Sequence, residues 1–246
     1  MGPVSQALME STLHRQLKQW YASPGDQLEA QVGRFRVDVL SDDHVLEIQQ
    51  AGLGALRTKV AVLLRTHRVT VVKPICRRKQ IVVCSNTGQV LRSRRSPKRG
   101  SVLDLFHDLV HFVTVFPHPR LALEVVLVDV EEWRSPQTRR RSRLPYRVDD
   151  RRLLQVEARQ SLRRAADLLA LLPVPLPPRF DTRILADHLS VPRWHAQQIA
   201  YCLRRCGAVE EKERNRVGRQ YALPTLDGGK PAARRSRCAR RSRSVG

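Results

Sequence analysis

Two acidic residues and an amide stand where apolar neighbours would normally exclude them. Asp38 lies between Val37 and Val39, Glu47 between Leu46 and Ile48, and Gln49 follows two residues later. Burying a carboxylate is costly unless it is paired or bound to a metal. Ser41-Asp42-Asp43 reads as a tight turn, so the two apolar segments form a hairpin that brings Asp38 and Glu47 together. Alternate side chains on a strand share a face, which points Glu47 and Gln49 the same way. Two carboxylates and an amide on one face suit a hard divalent ion, Mg2+ or Mn2+. Such an ion activates a water and stabilises the leaving oxygen of a phosphodiester.

The elements that must position these residues are readable on either side. Residues 10–21 have Leu13, Leu17, Trp20 and Tyr21 at helical spacing, and Ser23-Pro24-Gly25-Asp26 stops that helix. Gln27–Val32 alternates as a strand, Phe35–Leu40 follows, and His44–Gln49 is the third. A helix is predicted from about Ala55 to Thr66, with Leu56, Val60, Leu63 and Leu64 on its apolar face. Val69–Ile75 is nearly all apolar, as a buried strand should be. Beyond it the pattern predicts a short strand at Lys79–Cys84, a basic loop at Arg92–Arg99 and a helix opened by Ser101 and Asp104. A strand at Leu121–Val130 and a long helix at Arg152–Leu172 follow.

A helix bearing an early Glu, then a hairpin carrying Asp, then Glu-x-Gln, then helix and strand resembles the PD-(D/E)xK nuclease core. Restriction endonucleases and Holliday-junction resolvases share that core, and the likeness covers roughly residues 8–76. It implies an α/β fold with an αβββαβ restriction-endonuclease-like core. Asp38 and Glu47 match the metal-binding carboxylates, Gln49 the residue that is usually lysine, and Glu10 the extra glutamate of resolvase-like members. Lysine can orient or activate the water and stabilise charge; glutamine can only orient it. No Pro-Asp dipeptide precedes the hairpin.

The C-terminal part has a separate logic. Asp181 caps a helix through Leu189, Ser190-Val191-Pro192 turns, and Arg193–Cys206 is a second helix with Trp194, Ile199, Leu203 and Cys206 inward. Gly207 stands in the stop position. Two helices followed by a charged, strand-like stretch with Gly218 at its turn resemble a winged helix-turn-helix. That likeness offers Arg193, His195, Gln197, Gln198 and Arg204 to DNA from the second helix, and Arg216 and Arg219 from the wing. A packing or partner-binding subdomain is the other reading of the same helices. The expected organisation is a core at 8–132, a basic connector at 133–151, a helix and Pro-rich linker at 152–178, a helical winged-helix domain at 179–224 and a disordered basic tail at 225–246.

Charge agrees with a polyanionic partner. Lys and Arg number 45 against 23 acidic residues, a net charge of +22. From Lys230 onward there are seven basic and no acidic residues, so the rest still carries +15. Such a field attracts nucleic acid. Duplex DNA is the first expectation, with RNA the other polynucleotide. The five cysteines, Cys76, Cys84, Cys202, Cys206 and Cys238, form no Cys-x-x-Cys pair, which argues against zinc. No secretory signal and no run of about 20 apolar residues is readable, so a cytoplasmic protein without a membrane span is expected. Many nucleases of this kind dimerise, which leaves room for a homodimer, although no zipper or symmetric patch is readable. Three functions fit: a metal-dependent DNA nuclease, a non-catalytic DNA-binding regulator on a degenerate nuclease fold, and a toxin-like or host-interaction protein whose charge serves RNA or ribosomes.

Overall fold

The computed structural model describes residues 10–137, 145–215 and 218–224. Part of the expected connector (138–144), Arg216 and the expected tail (225–246) lie outside the described residues.

The first helix, α1 (Thr12–Tyr21), starts where the Ser11 side chain accepts a hydrogen bond from the His14 N–H at 3.3 Å. It buries Leu13 and Leu17, one helical turn apart, each contributing on the order of 2 kcal/mol. Three antiparallel strands follow: β1 (Gln27–Val32), β2 (Phe35–Ser41) and β3 (His44–Ile48). A single 3-10 turn at Leu53–Leu56 leads into α2 (Arg57–Leu63), which crosses over to β4 (Arg68–Cys84). That crossover makes β4 parallel to β3, from His44 beside Arg68 to Ile48 beside Val72.

On its other edge β4 pairs in parallel with β6 (Leu121–Pro136), and β6 pairs antiparallel with β7 (Tyr146–Leu162). The sheet order is β1-β2-β3-β4-β6-β7. Because β4 is 17 residues long it outlasts β3, and from Gln80 onward that edge pairs with β5 (Val90–Arg95). Between the two partners no strand pairs with this edge of β4, and the Gly100 N–H closes part of it by donating to the Cys76 carbonyl at 3.1 Å. Pro74, which has no N–H to donate, falls in that gap, as an unpaired edge permits.

Each face of the sheet has its own core. Leu13 and Leu17 cover Val39, Leu46, Ile48, Val72, Val126 and Val128 on one. On the other, Val60 and Leu63 of α2 and Phe106 of α3 (Leu105–Leu109) form a continuous cluster with Leu185 of α4 (Thr182–Leu189) and with Ile199 and Leu203 of α5 (Arg193–Cys206). The chain is thus mixed α/β, with one large mixed sheet and a few helices. The C-terminal helix pair, expected as a domain of its own, shares the core of the sheet. A small hairpin of β8 (Glu210–Asn215) and β9 (Gly218–Ala222) follows it, and Tyr221 bridges back to Phe180. No helix among the described residues is long and apolar enough to cross a membrane.

Three expectations fail here. Arg152–Leu172 is a strand through Leu162 and then a 3-10 helix at Ala165–Leu171, not one long helix. The reason lies in register shifts. Val130 pairs with Leu153 and Asp129 with Gln155, which skips Leu154; Val128 pairs with Val156 and Leu127 with Ala158, which skips Glu157. These bulges place Leu153 and Val156, three residues apart, against the same core, so the strand carries a helix-like apolar spacing. The basic connector expected over 133–151 is also partly sheet, since β6 continues to Pro136 and β7 starts at Tyr146. Likewise Arg92–Arg95 belong to β5 rather than to a loop.

Candidate functional site

Asp38 sits where the alternation of β2 reverses. Val37 joins the core under α2, while Val39, two residues on, joins the core under α1. The β1–β2 register passes from Leu28–Val39 to Ala30–Val37, and Glu29 between them has a left-handed φ of 54°. Freed from the ladder, Asp38 turns its carboxylate to two donors. Oδ2 accepts from the Ile48 N–H at 2.7 Å, and Oδ1 lies 3.0 Å from His14 Nε2. Burial opposes its ionisation, but the His14 and Ile48 bonds outweigh it and hold its pKa below the usual carboxylate value.

Glu47 is buried, with its Oε1 2.6 Å from Lys59 Nζ on α2. The contact is ionic rather than a directed hydrogen bond: Oε1 is fully enclosed and lacks a partner of good hydrogen-bond geometry. Burial pushes the Glu47 pKa up to about 6; Lys59 opposes the rise and the neighbouring Asp38 charge adds to it. The two carboxylates therefore sense one another, yet they take partners from opposite faces, His14 on α1 and Lys59 on α2.

The structure brings together only part of the predicted set. Glu10 and Asp38 line one open cavity of about 460 Å³ with His14, Glu29, Arg36 and Gln50. Glu10 Oε1 is 2.5 Å from Lys18 Nζ and 3.5 Å from His14 Nε2. The Lys18 ammonium, itself buried, also pairs with Glu29. Gln49 does not line this cavity; its amide donates to the Gly52 carbonyl at 3.0 Å and shapes the turn after β3. Gln50 instead reaches Ser11 Oγ at 2.9 Å and ties that turn to the start of α1. Lys73 holds the turn from the other side, donating to Gln50 O at 3.1 Å and Ala51 O at 2.7 Å while pairing with Asp108 at 2.7 Å.

His14, Lys18, Lys59 and Lys73 were missed from sequence. The first two had a readable signal: Glu10, His14 and Lys18 recur every four residues and so share one helix face. Lys59 was masked by the apolar face of α2 on which attention falls.

Whether a divalent ion suits these residues turns on the donors. Among the described residues, no three His, Cys, Asp or Glu side chains group to hold one. Magnesium needs only one or two carboxylates, with waters and substrate phosphate completing its shell. Asp38, open to the cavity beside Glu10, meets that lesser demand, whereas Glu47 Oε1 is enclosed against Lys59 on the other face of the sheet.

The C-terminal residues predicted to face DNA are largely occupied. His195 is only 6% exposed; its Nε2 lies 3.0 Å from the Leu103 carbonyl and its ring stacks on His107 at 4.3 Å. It points into the core because α5 turns His195, Ile199, Cys202 and Cys206 inward. Trp194, expected inward, is consequently exposed and stacks on His107 at 5.1 Å. Gln198 Oε1 accepts from His107 Nδ1 at 2.6 Å. Arg204 and Arg219 both pair with Glu211, at 3.6 and 3.2 Å. Arg193 and Gln197 are the two exposed members of the set with no side-chain partner among the described residues.

Comparison with known proteins adds family but no activity. Residues 11–163 match the model of a domain of unknown function, DUF8091. That stretch runs from the cap of α1 to the end of β7, so it contains the sheet and the carboxylates but not the helix pair. An uncharacterized protein of Treponema pallidum (strain Nichols) is 30% identical over 225 residues, covering 90% of this chain and 89% of that protein. No solved structure matches.

Proposed function

We propose, for a chain that belongs to the DUF8091 family, that the sheet carries a metal-dependent nuclease site acting on DNA, built from Asp38 and Glu47 on a restriction-endonuclease-like core. The observation that carries this reading is the order of helix, three antiparallel strands, crossover helix and parallel fourth strand, with two coupled carboxylates at the point where β2 reverses its faces. The helix pair with its trailing hairpin supports a winged-helix likeness in the same way, by order of elements.

Asp38, with Glu10 on the same cavity, would hold the ion, and Glu47 would join it only by leaving Lys59; when bound, the ion supplies an activated water and stabilises charge on the leaving oxygen. The chain's own groups do the rest. His14 Nε2 faces Asp38 Oδ1 and fixes the carboxylate, with Glu10 at the far side of the same ring nitrogen. Lys59 brings to Glu47 the ammonium that Gln49 cannot supply from β3. It lies on α2, where it also donates to the Arg36 carbonyl at 2.5 Å, so its position is fixed from two sides. Glu47, with its raised pKa near 6, ionises on the way to neutral pH, and its affinity for a cation rises with it.

A second reading is favoured by the same ion pairs. Each carboxylate already has a protein partner against it, the Lys59 ammonium on Glu47, the Lys18 ammonium on Glu10 and the His14 ring on Asp38, as a degenerate site on a non-catalytic DNA-binding protein would. Cleavage of plasmid DNA with Mg2+ or Mn2+ separates the two. The nuclease reading expects Asp38→Asn and Glu47→Gln to lose activity and Lys59→Met to lose about 100-fold, the scale of one lost electrostatic stabiliser. Wild-type protein that binds DNA but cuts nothing with either ion favours the regulator; equal cutting by Asp38→Asn removes the assigned site.

A further inference from the structure

We infer that β5, with the trough at its foot, docks the phosphate backbone of duplex DNA. The inference rests on the nucleic-acid reading above and names where on the chain that substrate lies.

All six residues of β5 are exposed. Arg92, Arg94 and Arg95 on it, and Lys98 and Arg99 just after it, are exposed, and among the described residues their side chains make no ion pair or hydrogen bond. Between Arg77 and Leu103 the sequence has no acidic residue at all. The neighbouring cations differ. Arg77 and Arg78 pair with Glu157, and Lys79, Arg134 and Arg151 converge on the buried Glu132. The sheet therefore neutralises its cations wherever an acid is in reach and leaves one edge strand uncompensated. Arg92 and Arg94 share one face of β5 and repel each other, while Arg95 lies on the trough face; a polyanion along this exposed edge, within reach of both faces, relieves the repulsion while releasing its own counterions.

The shape agrees. An open trough of about 520 Å³ is lined by Arg78, Lys79, Gln80, Arg95 and Arg99, with Asp129 as its one acid. Guanidinium forks match phosphate oxygens in pairs, which an ammonium does not. No aromatic ring lines the trough or lies on β5, so unpaired bases find nothing to stack on. This favours a duplex backbone over a single strand. From Val71, beside Glu47, to Gln80, beside Arg95, β4 extends about 30 Å at ~3.3 Å per residue. A duplex reaching from the carboxylates to the arginines spans roughly nine base pairs at ~3.4 Å each.

The full chain tests this by fluorescence anisotropy with a labelled duplex several times that length, titrated at salt concentrations from about 50 to 200 mM. One variant is the triple change Arg92→Gln, Arg94→Gln and Arg95→Gln; the other is Arg193→Gln with Gln197→Ala on α5. All five side chains are exposed, so circular dichroism is expected to match the wild type. The β5 variant is expected to lose about ten-fold or more in affinity, with a salt slope shallower by about three, and the α5 variant to stay within about two-fold. An unchanged slope and affinity in the β5 variant overturns the docking surface. So does a β5 variant that aggregates while still binding as wild type, which would make the arginines guards of an edge strand. Cleavage measured on the same samples keeps the two claims apart. Binding through β5 without cleavage removes the nuclease and leaves the dock. Cleavage unaffected by the β5 changes removes the dock and leaves the nuclease. A wild type that binds no duplex removes both.

Discussion

The C-terminal helix pair and the β5 edge carry similar residue types and differ in how much of their charge is already paired. On α5 and its hairpin, Arg204 and Arg219 share Glu211, Gln198 holds His107, and His195 is sunk against Leu103. On β5 and the residues after it, five cations face solvent with no acid between Arg77 and Leu103. Both regions read as basic from sequence. The helix pair leaves Arg183, Arg193 and Arg205 facing solvent but commits Arg204 and Arg219 to Glu211, whereas β5 leaves every cation for a ligand, because availability depends on what the fold places opposite each side chain.

Three changes sharpen or break that comparison. The largest effect is expected from Phe106→Ala. Its ring is fully buried in the cluster that joins α3, α5 and the sheet, and the Phe106 carbonyl faces Cys202 of α5 at 3.7 Å. A loss of about 3–5 kcal/mol is expected, in one cooperative urea transition seen alike by far-UV circular dichroism and by fluorescence. Separate transitions would make the helix pair an independent domain, and its packed polar groups would then owe nothing to the sheet.

Next comes Glu132→Gln, at the root of the contrast on the sheet side. Burial opposes Glu132 ionisation, but Lys79, Arg134 and Arg151 hold its pKa down to about 2. A carboxyl with its folded pKa below its unfolded value stabilises fully above the unfolded value and loses that contribution as pH falls through the folded one. Wild-type stability is therefore expected to drop from about pH 4.5 toward about pH 2, and the variant to show a flatter acid limb. At neutral pH the variant should be less stable by about 3 kcal/mol, since three cations lose their counter-charge. A thermal melt series across that range checks both, and an unaltered acid limb would mean that other carboxylates dominate it.

The smallest effect belongs to Glu211→Gln, which frees Arg204 and Arg219. Partly exposed pairs of this kind contribute little to stability, so the melting temperature should barely move. Duplex affinity should rise by about three-fold or less. A gain that matches the loss from the β5 changes would show that the helix pair is the main dock held in check by one acid.

Much of this was legible before the structure. The meander that holds Asp38 and Glu47, the α2 crossover, the parallel fourth strand and the Asp181-capped helix pair all follow from apolar period and turn residues. What escaped has particular causes. In β7, bulges at Leu154 and Glu157 gave Leu153 and Val156 a helical spacing. The length of β4 was hidden by Pro74, which reads as a strand end until one sees that β3 has already stopped beside it. At the site, the reversal at Asp38 sent Asp38 toward His14 and left Glu47 to Lys59. Simple alternation on a hairpin puts the carboxylates together without supplying either partner.

Amide hydrogen exchange of the full chain, with and without a saturating duplex, tests the account most directly. It predicts slowed exchange over residues 90–95 of β5 and in the Gln49–Gly52 turn beside the carboxylates, with residues 193–206 of α5 unchanged. Protection confined to 193–206, with 90–95 exchanging as in the free protein, would contradict it.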